Sequence, residues 1–381
     1  MEDFVAASRL ICSGAGSNED RGRAESCISG IIEQHGSASA LLDMLYTVDD
    51  EIGFFISLAV QRIVWKRWFS LSEEERNKTA TVYSQLLVEK GSTMQKFAQS
   101  KAEQVMAALC AQGGTLDYVI NVLQQTGDSS RSVIGLSLLR TVLDEVLNFT
   151  DPRLSPQQQE MISNAAMAMV EPATTLACTV LQESATALHQ AGTSLSAGGM
   201  DENAHKHAQS CLDTTLTALD ALKVIIARIN IGAHITPGVL DLLFHVAKMG
   251  VSGGGISIFD RCSVSALECL IELMAKRFVP VDPTGSSSVL LDMASKACAL
   301  LAEYKKTGQD MLEESNVMLC LLEFVAGFCT VHLDRCMKQA AGQELVLQLI
   351  QELMELSRTS NNPEVMLKVA RVWGDILEVC E

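Results

Sequence analysis

Proline, aromatic side chains and positive charge are all scarce in this chain, and each shortage narrows what it can be. Only 7 of 381 residues are proline and 5% are aromatic, against many Leu, Ala, Met and Val. Strand interiors favour β-branched and aromatic residues, whereas Leu, Ala and Met favour helices, so the composition predicts an all-α protein. The formal net charge of −17 leaves no basic footprint for a phosphate backbone, which argues against nucleic acid as a direct ligand. A basic protein partner fits better, although acidic helix surfaces also serve simply to keep a protein soluble.

The 12 cysteines form no CxxC pair and no His/Cys cluster at zinc-finger spacing. Cys178, Cys211, Cys298, Cys320 and Cys329 lie in apolar helical runs, where a reduced thiol acts as a small hydrophobe, and this points to a reducing compartment. The longest apolar run, 317 to 329, is interrupted by Glu323 and falls short of the roughly 20 residues that span a bilayer, so no membrane insertion is expected. The start, MEDFVAASRL, is not a secretory signal. The glycosylation-like triplets at Asn77 and Asn148 therefore read as chance matches.

Catalytic constellations are missing too. His205 and His207 have no cysteine partners and read as solvated residues. Asp49, Asp50 and Glu51 suggest the acidic metal motif of all-α prenyl-converting enzymes, but Gly53 stands where its later aspartate belongs; they read as a helix-start cluster. GVSGGG, at 250 to 255, lacks the GK[ST] ending of a phosphate loop and reads as a linker. The sequence predicts no enzyme, cofactor or metal.

What is present is a succession of amphipathic helices. In FFISLAVQRIVWKRWFSLSEEER, residues 54 to 76, Ile56, Ala59, Val60 and Ile63 form one apolar face at i, i+3, i+4 and i+7. The other side mixes Ser57, Gln61, Arg62 and Lys66 with Phe54, Trp65 and Trp68, so the helix is expected to pack on two sides. The two tryptophans suit core packing or partner docking, and core is the better reading. Ser72 and Glu75 form a capping box for the next helix. Further helices are expected near 3–12, 19–34, 38–47, 93–110, 115–126 and 133–149, then 157–189 with a break at Pro172. Beyond a Gly/Ser-rich loop at 192–203 comes the stripe Leu212, Leu216, Leu219, Leu222 and Ile226. Thr236 and Pro237 open another helix, followed by helices at 257–278, 286–305, 311–337, with Leu312, Leu319, Leu322, Ala326, Cys329 and Leu333 inward, and 343–358. The last, from Pro363, keeps the apolar content of an internal helix, so the chain reads as stopping mid-architecture. Helix pairs recurring every 40 to 47 residues are the signature of HEAT and armadillo solenoids, although a two-domain helical bundle gives much the same local pattern.

RGRAESCISGIIEQHGSASALLDML, then FFISLAVQRIVWKRWFSLSEEER, then KFAQSKAEQVMAAL resembles the N-terminal domain of the importin-β (karyopherin) superfamily, through Arg21 to Glu25, the Phe-Phe helix ending in Trp68, and Lys101. GLSLLRTVLDEVLNFTDPRLSPQQQEMI resembles the continuation found in exportins, while ITPGVLDLLFHVAKMG and ALECLIELMAKRFVPVD look like their actin-carrying branch. Two departures are plain: AQGGTLDY at 111 to 118 replaces an Asp-Trp-Pro step, and family members are considerably longer. The resemblance implies a HEAT-repeat α-solenoid with a Ran-binding part at 1–110 and exportin-like repeats at 111–381. It implies a nuclear export receptor, not an enzyme, that binds Ran-GTP, a protein cargo such as profilin-actin, and nucleoporins, and that shuttles between nucleus and cytoplasm. On the helices at 38–47, 72–90 and 115–126, Asp43, Glu74, Glu75, Glu89 and Asp117 would face a basic patch on the GTPase. An import receptor of the same superfamily, or a HEAT-repeat scaffold without Ran binding, are the alternatives.

Overall fold

A computed structural model describes residues 1–14, 16–113, 115–125, 129–147, 155–196, 202–228, 237–252, 257–276, 288–306 and 316–380. It contains sixteen α-helices and no strand among the described residues. The chain divides into two compact units, Met1–Ala173 and Thr174–Glu381.

The first unit holds α1 (Glu2–Ser13), α2 (Asn18–Ile32), α3 (Ser37–Met44), α4 (Asp50–Arg67), a 3-10 turn at Trp68–Ser70, α5 (Glu73–Lys90), α6 (Lys96–Gly113), α7 (Asp117–Gln125), α8 (Ser129–Leu147) and the start of α9 (Pro156–Ser196). Short polar side chains start these helices. Ser17 with Asp20 and Ser72 with Glu75 make reciprocal capping boxes, and the Asp49 carboxylate accepts from the Ile52 N–H at 2.9 Å. Helices α4, α6 and α8 stack in one layer and α3, α5 and α7 in a second, with each second-layer helix also packed on its chain neighbour in the first. Ile56, Ala59, Val60 and Ile63 are at most 1% exposed, and burying each large one contributes about 1.5–3 kcal/mol. The mixed side of α4 is indeed a second packing side: Ser57 is buried and accepts a hydrogen bond from the Tyr83 hydroxyl of α5 at 3.1 Å.

The second unit repeats the scheme with the rest of α9, α10 (Glu202–Arg228), α11 (Pro237–Ser252), α12 (Ser257–Met274), α13 (Ser288–Lys306), α14 (Asn316–Met337), α15 (Ala340–Thr359) and α16 (Pro363–Cys380). One layer runs α10, α12, α14, α16 and the other α11, α13, α15. Contacts pass from each helix to its neighbours in a stack and do not converge on a common centre, so both units are α-solenoid in architecture, not bundles. Prolines mark three helix starts, Pro156, Pro237 and Pro363, where the missing N–H costs nothing.

Lysines bridge successive helices of one layer: Lys78 to Asp43 at 2.7 Å, Lys223 to Glu268 at 2.8 Å, Lys248 to Glu303 at 2.6 Å and Lys368 to Glu323 at 2.5 Å. Such exposed pairs add little stability each, about 0–1 kcal/mol, but fix which turn of one helix meets which turn of the next.

Two expectations are corrected. The helix at 157–189 is not interrupted at Pro172 and does not end at His189; α9 is continuous through Gly192 to Ser196. Val170, Ala173, Ala177 and Leu181 are wholly buried, so packing on both sides of Pro172 offsets its lost hydrogen bond. Gly192 lies within the helix, and the Phe259 ring of α12 occupies the place of its side chain: a Cβ there would lie 2.1 Å from the ring. The linker reading of 250 to 255 also changes, since α11 takes its first residues up to Ser252. Thr236, Leu312 and residues 253–255 lie outside the described residues. Of the two expected stripes, Leu212, Leu219, Leu222 and Ile226 are buried with Leu216 half-buried, and Leu322, Ala326, Cys329 and Leu333 are buried with Leu319 half-buried. The described free cysteines include buried Cys211, Cys298 and Cys329 and half-buried Cys178 and Cys320.

By length and composition, the 22-residue α14 is apolar enough to cross a membrane. Its apolar side chains are instead covered by α12, α13, α15 and α16. His332 on this helix is fully buried beside Phe328. Burial first, and the Arg335 charge second, push its imidazole down to about 4, against a smaller opposing effect of the Met274 backbone.

Two outcomes follow. Gly192→Ala should cost about 1–2 kcal/mol net, overpacking against Phe259 outweighing Ala's helical advantage; an unmoved denaturant midpoint would contradict the close approach. His332 binds its proton less readily folded than unfolded, so stability should be lost as pH falls from the ordinary histidine range towards about 4. His332→Leu should reduce that acid sensitivity in melting curves compared at neutral and mildly acidic pH.

Candidate protein-interaction surface

The three helices expected to face a partner form one continuous layer, α3, α5 and α7. Since α6 turns the chain back between them, α5 and α7 run the same way; Tyr118, in the first turn of α7, feels the charge of Arg76 in the first turn of α5. The five candidate carboxylates sit on this layer but do different things. The Asp43 carboxylate is bonded to Lys78, which also donates to Ser39 Oγ at 2.6 Å. Glu75 accepts from the Ser72 N–H at 2.9 Å, so it is occupied in capping its own helix. Glu74, Glu89 and Asp117 are exposed, without an ion-pair partner among the described residues. Asp117 has no hold on its own first turn, where Thr115 Oγ1 accepts from the Asp117 N–H at 3.0 Å.

The cations of the layer are held elsewhere. Arg76 lies over the Trp68 ring at 4.7 Å, and Lys90 donates to the Tyr46 carbonyl at 3.2 Å and sits over its ring. Trp68 is 7% exposed and belongs to the core, as its spacing indicates; Trp65 is half-buried. The residue next along, Phe69, is 64% exposed, and no periodicity in the sequence distinguishes it from its neighbours.

Other residues singled out in the sequence resolve into structural roles. Asp50 accepts from the Gln95 N–H at 2.8 Å, pinning the start of α6 to the start of α4. Glu51, His205 and His207 are exposed. Thr79, in the Asn77 triplet, is 1% exposed and donates to the Glu75 carbonyl at 2.7 Å; Asn148 lies outside the described residues. No group of three or more His, Cys, Asp or Glu positioned to hold a metal occurs among the described residues.

Lys101, half-buried between α4 and α6, donates to Gln61 Oε1 at 2.7 Å and Gln104 Oε1 at 2.8 Å, and burial lowers its pKa. Its neighbour Glu103 is only 3% exposed. One carboxylate oxygen accepts from Thr141 at 3.0 Å and Ser137 at 3.2 Å on α8, and the other from the Gln99 amide at 2.9 Å. Burial raises its pKa despite those bonds. These groups lock the α4–α6–α8 layer behind the exposed one. Reasoning from charge passes over a second set of residues, the carboxamides Asn77, Gln85, Asn121 and Gln125, which line a cleft between α5 and α7. The signal the sequence carries is their spacing, eight residues from Asn77 to Gln85 and four from Asn121 to Gln125.

Fold and surface together define a helical-repeat protein whose exposed layer suits protein partners. No family model matches the chain. It is similar to Exportin-6 of Homo sapiens and of Mus musculus, 24% identical to each over 367 residues, which is 84% of this chain and 32% of those proteins. Exportin-6 of Danio rerio is 23% identical over 420 residues, covering 95% of this chain and 36% of the relative. These consistent matches make the chain exportin-like in sequence, and it spans about a third of the length of the relatives it matches. Among solved structures, a circular tandem repeat protein aligns along the whole chain at 13% identity with a TM-score of 0.35, too low to add to the helix-packing argument.

The buried Glu103 generates a pH test. The folded state holds its proton more tightly than the unfolded state, so stability falls as pH rises through the window above the normal carboxylate pKa. Glu103→Gln keeps acceptors for Ser137 and Thr141 and removes the charge. The variant should therefore gain on the wild type as pH rises above the ordinary carboxylate range; a difference in melting temperature that ignores pH would refute the assignment.

Proposed function

We propose that this chain is part of a nuclear export receptor, with residues 1–110 as its Ran-binding part and 111–381 as exportin-like repeats. The observation that carries the reading is the spread of the Exportin-6 similarity over 84% to 95% of the chain. The acidic α3–α5–α7 layer supports it, because a basic patch on a small GTPase would find Glu74, Glu89 and Asp117 unpaired and Asp43 within reach after release from Lys78. Cargo, with profilin-actin as the candidate, binds other repeats, and nucleoporins are the contacts that let the receptor shuttle between nucleus and cytoplasm.

The receptor does no chemistry of its own. Direction comes from linkage: Ran-GTP and cargo each favour a conformation the other binds, and hydrolysis of the nucleotide removes one partner. A solenoid suits such coupling because small adjustments at each interface add along the stack.

Binding of the purified chain to Ran loaded with a GTP analogue or with GDP, with and without profilin-actin, tests this reading. The expected result is preference for the GTP form, strengthened by cargo. Reversing Glu74, Glu89 and Asp117 to Lys together should weaken it about tenfold or more, and added salt should weaken the wild type in the same direction. Nucleotide-indifferent binding, by this chain and by a longer one containing it, would leave a helical-repeat scaffold in place of a transport receptor.

A further inference from the structure

The cleft between α5 and α7 is lined along one helix by Asn77, Thr81 and Gln85 and along the other by Tyr118, Asn121 and Gln125. None of these side chains is charged. The four carboxamides are exposed and make no hydrogen bond among the described residues. A carboxamide presents a donor and an acceptor side by side, the same pair that a peptide unit presents.

Spacing makes the match specific. Asn77, Thr81 and Gln85 stand at i, i+4 and i+8, a step of about 6 Å along a helix. Two residues of an extended chain advance about 6.2–6.8 Å, so alternate peptide units of an extended segment fall opposite successive side chains of α5. Asn121 and Gln125 repeat the step on α7. A helical ligand would offer these groups nothing along its length, because its main-chain donors and acceptors are already spent on one another.

Charge gives the segment its sign and polarity. Glu74 lies one turn before Asn77, and Asp117 adjoins Tyr118, so two exposed carboxylates flank one end of the cleft. The two cations that follow Glu74 in α5 are engaged: Arg76 over Trp68, and Lys78 with Ser39 and Asp43.

We propose that the α5–α7 cleft binds a basic peptide segment in extended conformation, its main chain paired with Asn77, Gln85, Asn121 and Gln125 and a lysine or arginine held between Glu74 and Asp117. The inference rests on reading α5 and α7 as a partner-binding face.

The probe is a blocked, fluorescein-labelled peptide of alternating Lys and Thr, about eight residues long so that it spans the cleft, followed by anisotropy at low salt. It should bind the wild-type chain, and an alternating Glu and Thr peptide should not. Methylating alternate peptide nitrogens keeps the charge, removes donors and should weaken binding about tenfold. The double variant Gln85→Ala with Asn121→Ala should weaken the unmethylated peptide comparably without shifting the melting temperature. No binding of the Lys-Thr peptide overturns the inference. Equal binding of the methylated peptide and equal binding by the variant do so as well, since charge alone would then suffice. Nucleotide-selective Ran binding without peptide binding sinks this assignment and leaves the export reading standing; peptide binding without nucleotide selectivity does the reverse.

Discussion

A helix with residues to bury on two sides cannot hide them by itself, and stacking between two neighbours hides both. On α4 the stripe of Ile56, Ala59, Val60 and Ile63 is sealed while Ser57, on the other side, is sealed as well by the Tyr83 hydroxyl. A helix held from both sides has only its outer turns left for solvent. The surface open to a partner is thereby fixed as the outer edge of a layer, and on α3, α5 and α7 that edge carries carboxylates and carboxamides.

The same constraint explains what could be read from the sequence. Helix starts were legible because capping is local: Ser72 and Glu75 are three residues apart and need nothing else. Core stripes were legible because burial follows the helical period. Gly192 and Pro172 were misleading because their effect depends on residues far along the chain. Glycine next to a Gly/Ser-rich run looks like a breaker until the Phe259 ring, 67 positions later, is seen to need the space. Pro172 looks like a stop until the buried Val170 and Ala173 on either side show that packing carries the helix through. The apolar helix α14, whose length and composition suit lipid, has protein for its surroundings, supplied by four helical neighbours.

For the candidate carboxylates, the helix that carries each one was legible in the sequence and the surroundings of its side chain were not. The resemblance assigned Asp43, Glu74, Glu75, Glu89 and Asp117 to three helices, and those helices pack on one another in one layer. It could not foresee that Lys78 would reach across to Asp43, or that Glu75 would turn back on Ser72. Both events depend on side-chain reach within a few ångströms, which helical spacing alone does not encode.

Electrostatics links the interior to the surface. The chain has 29 Lys and Arg against 46 Asp and Glu, and several of its lysines, Lys78, Lys223, Lys248 and Lys368 among them, bridge adjacent helices of a layer. Other cations lie over rings, Arg76 over Trp68 and Lys90 over Tyr46. Cations committed to holding neighbouring helices in register are not free to neutralise the outer edge. The excess of carboxylates therefore falls on the exposed turns, where Glu74 and Asp117 flank an uncharged cleft. A protein stacked in this way acquires an acidic edge as a consequence of how its repeats are aligned, and its field is strongest where the carboxylates have no internal lysine to satisfy them.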